Sequence, residues 1–376
     1  MLEILQDLTL SHFLMYGIGI FLIFLAIKKK YEPALLLPMG FGAILVNLPM
    51  SGVLNQTMEG IGEFSVTVNG IVEWLYKVGI ESSEAFPILL FIGIGTMIDF
   101  EPLLQKPILA IFGFAAQAGI FVAMGLAVLL GFPLNDAASI GMIGAADGPT
   151  SILVSQILKS NYVGAIAVAA YSYMALVPLI QPLTIKTLTT KKERCIRMKN
   201  GGRKIPKAIK IIFPIAVTFI SGILAPMSVS LIGFLMFGNL IKESGVLQKL
   251  SDTAGDTMTN LITLLLGITI SFSMRAEVFV KKETLLVMAI GLVAFVFDTV
   301  GGVLLAKFMN LFLKEKINPM IGAAGISAFP MAARVVQKMA TEENKGNIIL
   351  MQAVGANVAG QVASAVIGGL ILGMFR

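Results

Sequence analysis

The sequence predicts an all-α polytopic membrane protein of about ten transmembrane helices in two inverted repeats, each with a broken or re-entrant helix. Three observations predict this. Of 376 residues, 56% are hydrophobic and 13% charged, and the mean hydropathy is +0.88; a soluble domain of this size needs far more charge to cover its surface. The apolar runs are continuous rather than alternating, as in helices that satisfy their own backbone in hydrocarbon and unlike barrel strands. Short motifs also recur, in the same order, in the two halves of the chain.

The opening MLEILQDLTLSHFL carries Glu3 and Asp7 and lacks a basic leader. It is expected to be an amphipathic helix at an interface, not a cleavable signal. Five spans follow, near Phe13–Ile27, Ala34–Met50, Phe86–Ile98, Pro107–Gly131 and Tyr162–Leu183. Residues 186–210 form the one long polar stretch, a basic loop. Five more spans lie near Ile211–Leu224, Val229–Ile241, Leu261–Met274, Thr284–Phe312 and Ile348–Phe375. Ser65–Ile80 and Leu247–Asn260 are weaker, amphipathic, and expected along the surface.

MIGAA occurs at Met142–Ala146 and Met320–Ala324; SGVL occurs at Ser51–Leu54 and Ser244–Leu247, each shortly after an Asn-Leu pair at Asn47 or Asn239. Duplication follows, with residues 1–185 as the first membrane repeat, 186–210 as a cytoplasmic joint and 211–376 as the second repeat. An odd number of spans per repeat inverts the second copy. Lys28–Lys30, Lys106 and the basic loop then share the cytoplasmic side, while Arg275, Lys281 and Lys282 fall outside, against the charge rule.

Composition also excludes functions. The net charge of +6 is concentrated in loops, as membrane topology requires, and no nucleic-acid partner is expected. A single histidine, His12, and a single cysteine, Cys195, leave no zinc or haem site and no internal disulfide.

The chemistry concentrates where the spans break. In IGMIGAADGPTSILVSQIL, Gly148 and Pro149 interrupt the helix beside Asp147. Freed carbonyls and a carboxylate at membrane depth make a hard-oxygen site suited to Na+ or H+, with Thr150 and Ser151 adding oxygens; the alternative is that Asp147 only caps the next helix. In INPMIGAAGISAFPMAARVVQK, Asn318-Pro319 opens a second broken element that Gly322, Gly325 and Pro330 loosen. Asn318 and Ser327 supply neutral oxygens there, and Arg334 either seeks an anionic partner or snorkels to the interface. Each broken element precedes a span with polar residues among small ones: Tyr171, Ser172, Tyr173 and Gln181 in the first, Gln352, Asn357, Gln361 and Ser364 in the second. These serve either a pathway or helix packing. Asp298, in VAFVFDTVGG, is the rival intramembrane acid and lacks an adjacent proline.

Taken together, GAADGPTSI, YSYMALVPLIQP, NPMIGAAGISAFPMAARV and GANVAGQVASAVIGG resemble, in order and over nearly the whole chain, the β subunit of the biotin-dependent sodium-pumping decarboxylases. These act on oxaloacetate, methylmalonyl-CoA, glutaconyl-CoA or malonate. The resemblance implies a carboxybiotin decarboxylase of a bacterial cytoplasmic membrane that couples decarboxylation to Na+ export. It implies carboxybiotin presented by a biotin carrier subunit, a carboxyltransferase subunit, a small membrane-anchor subunit and a homotrimer of this chain. By motif, Asp147 resembles the essential aspartate and Tyr173 the functional tyrosine. Asn318, Gly322, Ser327 and Arg334 resemble the polar face of the second broken segment, and Asn357 the asparagine of the last span. Na+ is then expected at Asp147, Asn318, Ser327 and Asn357, carboxybiotin at Arg334 and Ser327, and chemistry at Tyr173, Arg334 and Asp147. The short chain leans towards the acyl-CoA types. Two other classes stand beside this: a Na+-coupled secondary transporter of the same architecture without decarboxylase chemistry, and a non-pumping anchor for soluble subunits.

Overall fold

Uninterrupted apolar sequence becomes helix throughout the computed structural model, which describes residues 8–30, 32–59, 65–82, 84–198 and 204–375. The helices, in chain order, are α1 Leu10–Phe24, α2 Pro33–Val46, α3 Ile71–Tyr76, α4 Ala85–Met97, α5 Glu101–Gln105, α6 Leu109–Ala115, α7 Ala118–Leu129, α8 Leu134–Gly141, α9 Gly148–Ile157 and α10 Val163–Leu188. After these come α11 Lys191–Arg194, α12 Lys207–Leu224, α13 Val229–Ser244, α14 Gln248–Thr253, α15 Thr259–Ile270, α16 Ala276–Phe279, α17 Lys282–Phe312, α18 Met320–Ala323, α19 Met331–Glu343 and α20 Leu350–Met374. Among the described residues, six helical segments are long and apolar enough to cross a membrane, and eight if two bent pairs are counted. The protein is an all-α, multi-pass membrane protein.

Several expectations change. The described spans number six to eight, not ten, and Leu247–Asn260, expected along the surface, is instead the first part of one long apolar helical segment, Gln248–Met274. Ser65–Asn69 is a strand, β2, paired antiparallel with β1 at Asn55–Glu59; its alternating Val-Thr-Val has strand period, and helical periodicity begins only at Ile71. The expected N-terminal interfacial helix falls largely outside the described residues, and α1 is already a span from Leu10.

The two halves pack crosswise. From the first half, α2 lies against α15 of the second, and α4 lies against α13. Glycines let backbones meet: a Cβ on Gly238 would lie 2.0 Å from the Ile92 carbonyl, and one on Gly95 2.0 Å from that of Leu235. Asn47, after α2, donates to the Met274 carbonyl at 2.8 Å and accepts from the Ala276 amide at 2.7 Å. Asn239, within α13, donates to the Ile98 carbonyl at 3.2 Å. Each asparagine thus satisfies backbone freed at a chain break in the opposite half, which hydrocarbon could not do.

Four elements surround the centre. α10 is bent by 68° between Val163–Met174 and Leu176–Leu188. Pro178 lacks the N–H that would bond to the Met174 carbonyl, a sufficient cause. α17 packs against α10, and α20 packs against α6. The segments 134–157 and 318–343 run between them.

Candidate functional site

Each broken segment is a helical hairpin whose ends lie together. In the first, α8 tightens into a 3-10 turn at Met142–Ala145, the chain turns through a left-handed Ala146 (φ 52°), and Asp147 leads extended into α9. Pro149 sits in the first turn of α9, where a missing N–H costs nothing. The mouth is closed by Asp136, whose Oδ1 accepts from the Ser160 hydroxyl at 2.7 Å and the Asn161 amide at 2.9 Å. Thus residues 136 and 160 share one end, and the segment enters and returns.

The second hairpin comprises α18, an irregular tip with a cis Phe329–Pro330 bond, and α19. At its mouth Asn318 and Asn347 both donate to the carbonyls of Arg194 and Ile196 in the basic loop, at 2.9–3.3 Å. The two mouths lie at opposite ends of α17. Lys281 and Glu283 line a cavity of about 970 Å³ together with Ser160 and Asn161, whereas Asn310 donates to Ile317 beside the second mouth at 2.7 Å. A straight helix of this length covers about 45 Å. Arg275 and Lys281, two of the three cations expected to violate the charge rule, line that cavity, where water can solvate them.

The tips meet on α20. Asp147 is 4% exposed; its Oδ2 accepts from the Thr150 hydroxyl at 2.5 Å and the Ser364 hydroxyl at 2.9 Å. Ser151 donates to the carbonyls of Met142 and Asp147, both at 2.8 Å, which ties the 3-10 turn to α9. At the second tip the Ser327 hydroxyl donates to the Gly360 carbonyl at 2.8 Å. Asn357 donates to the Ile326 carbonyl at 2.6 Å, and the Gln361 amide donates to the Ser327 carbonyl. Gln361 and Ser364 are one helical turn apart, about 4.5 Å along the axis, so both tips converge within a turn of α20.

The chemistry left over is acceptor chemistry. Gln181 donates to the Ala323 carbonyl at 2.7 Å, and Gln117 to the Gly113 carbonyl at 3.2 Å. Because Gln181, Asn357 and Gln361 face backbone carbonyls, their nitrogens must point that way and their oxygens away. The oxygens of Gln117, Gln181, Asn357 and Gln361 are buried and accept no hydrogen bond. Each such oxygen costs about 1–3 kcal/mol if left without a partner, and a cation is a partner that an oxygen array can accept. Among the described residues no Lys or Arg forms an ion pair with Asp147.

The structure therefore joins Asp147, Ser327 and Asn357 through α20. It does not bring Asn318 to them, since its amide nitrogen is engaged by the loop carbonyls and its oxygen accepts from the Met320 amide. The Tyr173 hydroxyl donates to the Met288 carbonyl at 2.5 Å, and its ring lies against Gly291. Arg334 is exposed on α19. Its charge acts on Glu32, in the loop before α2, whose carboxyl is raised by burial and lowered by Arg334. Asp298 is fully buried; Oδ1 accepts from the Gly119 amide at 2.6 Å, at the break between α6 and α7, and Oδ2 accepts no hydrogen bond. Sequence reasoning missed Gln117, although one amide inside FGFAAQAGIF is the signal that could have found it.

The family model described as Na+-transporting oxaloacetate decarboxylase beta subunit matches residues 11–375. The chain belongs to this β-subunit family. Curated relatives agree over nearly full length. The methylmalonyl-CoA decarboxylase subunit beta of Propionigenium modestum is 44% identical, over 98% of this chain and 96% of that protein. The glutaconyl-CoA decarboxylase subunit beta of Acidaminococcus fermentans is also 44% identical, over 97% of this chain and 94% of that protein. The oxaloacetate decarboxylase beta chain of Klebsiella pneumoniae is 41% identical, over 98% and 97%. As a member of this family the chain is a decarboxylase subunit that translocates Na+, and the paired hairpins are the part of it where oxygens gather at membrane depth.

Proposed function

We propose that this chain decarboxylates carboxybiotin handed over by a biotin carrier subunit and couples this to Na+ export across a bacterial cytoplasmic membrane. The observation that carries the proposal is the convergence of a buried carboxylate, Asp147, with the hydroxyl and amide side chains of Asn357, Gln361 and Ser364 within about two turns of α20. Na+ is the transported substrate. Asp147 supplies the negative charge, and Ser327 and Asn357 supply neutral oxygens. Asn318 contributes by holding the mouth of the second hairpin to the basic loop. Arg334, exposed and close enough for its charge to act on Glu32, receives the carboxylate of carboxybiotin as a guanidinium fork, with Ser327 deeper along the same hairpin. Tyr173 supplies the proton for the ureido nitrogen after its hydroxyl leaves the Met288 carbonyl.

The chain divides at 1–185, 186–210 and 211–376 into two inverted repeats and their joint; the crosswise packing of α2 on α15 and α4 on α13 supports this. An acyl-CoA substrate for the complex is supported by length. Alignments to the oxaloacetate relatives run to 417–423 positions, beyond this chain's 376 residues, whereas those to the acyl-CoA relatives run to 366–381. The partners are a carboxyltransferase subunit, the biotin carrier, a small membrane-anchor subunit and two further copies of this chain. The test is decarboxylation of free carboxybiotin by the purified full chain as Na+ is raised from zero, beside uptake of radiolabelled Na+ into vesicles. Na+-dependent release of CO₂ is expected. Na+ exchange with no carboxybiotin turnover would leave a plain transporter.

A further inference from the structure

The phenol facing Asp147 is Tyr171. A Cβ on Gly148, the residue after Asp147, would fall 2.3 Å from Cζ of the Tyr171 ring and 2.4 Å from Cε1. The ring is thus seated on the backbone of the Asp147 turn, in space that only glycine leaves open. Tyr171 is 2% exposed, and its hydroxyl is buried with no hydrogen-bond partner. The hydroxyl of Tyr173, two residues on, is engaged by the Met288 carbonyl, and its ring lies on α17. The two tyrosines therefore face different elements. A buried phenol normally has a partner, and leaving one without costs about 1–3 kcal/mol. Asp147 does not supply it: its Oδ2 accepts from the Thr150 and Ser364 hydroxyls, and neither of its oxygens accepts from Tyr171.

We infer that the Tyr171 hydroxyl oxygen is a ligand of the Na+ held at Asp147, a neutral oxygen whose position the ring's seat on Gly148 sets. This rests on the Na+ site proposed above. A phenol oxygen is a hard, uncharged donor of the kind small cations take, and it adds a ligand without adding charge to hydrocarbon. The seat also accounts for Gly148: a side chain there would push the ring from the turn and carry the hydroxyl with it.

Tyr171→Phe removes the oxygen and keeps the ring. Equilibrium binding of radiolabelled Na+ to the full chain in detergent should weaken about tenfold, the equivalent of one neutral polar contact. Decarboxylation of free carboxybiotin should need about tenfold more Na+ for half-saturation and keep its rate at saturating Na+. Gly148→Ala should weaken Na+ binding similarly, and the double variant no further, because both remove the same contact. Thermal unfolding of each variant separates lost folding from lost binding. Unchanged Na+ affinity in a folded Tyr171→Phe protein overturns the inference, as does full additivity of the two substitutions. Failure of the site itself shows differently: Asp147→Asn would then bind Na+ as the unaltered chain does.

Discussion

The two hairpins share a plan and differ in what they carry. Both contain MIGAA, both enter and return, and both end their tips on the same stretch of α20. The first tip holds a carboxylate met by hydroxyls. The second holds no acid and is met by amides that bond to its backbone. Their packing differs as well. At the second hairpin glycines touch: a Cβ on Gly322 would lie 1.9 Å from the Gly302 carbonyl, and one on Gly360 2.1 Å from that of Gly325. One hairpin supplies charge, and the other supplies a closely packed neutral frame. In a medium of low dielectric a single charge can be balanced by one transported cation, and a second charge would need another.

The opposed mouths give the largest expected effect, one of presence or absence. Cys195, the only cysteine, lies beside the second mouth, with Sγ 3.9 Å from the Glu343 carbonyl. An impermeant maleimide should label it in the unaltered chain only after cells are permeabilised. Lys159→Cys, at the cavity of the first mouth and made in a Cys195→Ser background, should be labelled in intact cells. Labelling of both from one side breaks the opposition of the two hairpins.

The chemical contrast is tested next. Asp147→Asn should reduce Na+-dependent turnover at least about a hundredfold, the scale of a charge-assisted contact, while the protein still inserts. Asn357→Ala, which removes one neutral amide at the other tip, should raise the Na+ concentration for half-maximal turnover by only about tenfold. If Asp298→Asn abolishes turnover and Asp147→Asn leaves the Na+ dependence intact, the charge belongs to α17 and the contrast is misassigned.

The packing contrast should appear in stability. Gly322→Ala forces a methyl into the Gly302 backbone and should cost about 1–3 kcal/mol in thermal or denaturant unfolding. Gly125→Ala, in α7 with no atom within 4 Å of the added Cβ, should be neutral or stabilise by up to about 1 kcal/mol. Equal losses would mean that the glycine contacts at the second hairpin are not special.

The smallest effect belongs to the surface. Glu101 accepts from Lys210 at 2.5 Å, tying α5 to α12. That bond holds the Glu101 carboxyl below its ordinary value of 4.5. The Glu101 contribution is present above its unfolded value and is lost as pH falls through the depressed one. Glu101→Gln should therefore lower stability by at most about 1 kcal/mol near neutral pH, and the difference from the unaltered chain should vanish in acid.

The all-α membrane class and the two breaks, beside Asp147 and at Asn318, were legible in the sequence because hydrocarbon demands continuous apolar helix and punishes every departure from it, so Gly148-Pro149 and Asn318-Pro319 stand out against their surroundings, whereas the number of spans was not legible. That the broken segments return instead of crossing was decided by contacts across the chain, Asp136 with Ser160 and Asn161, and Asn318 and Asn347 with the Arg194–Ile196 loop. Tertiary structure alone also separated Tyr171 from Tyr173 and drew Gln117 to Ser327. Two residues apart on a helix means about 200° of rotation. One-dimensional order records that both tyrosines are near the site, but which of them meets Asp147 depends on how α10 is turned against α9 and α17, and that is set by the packing of all three.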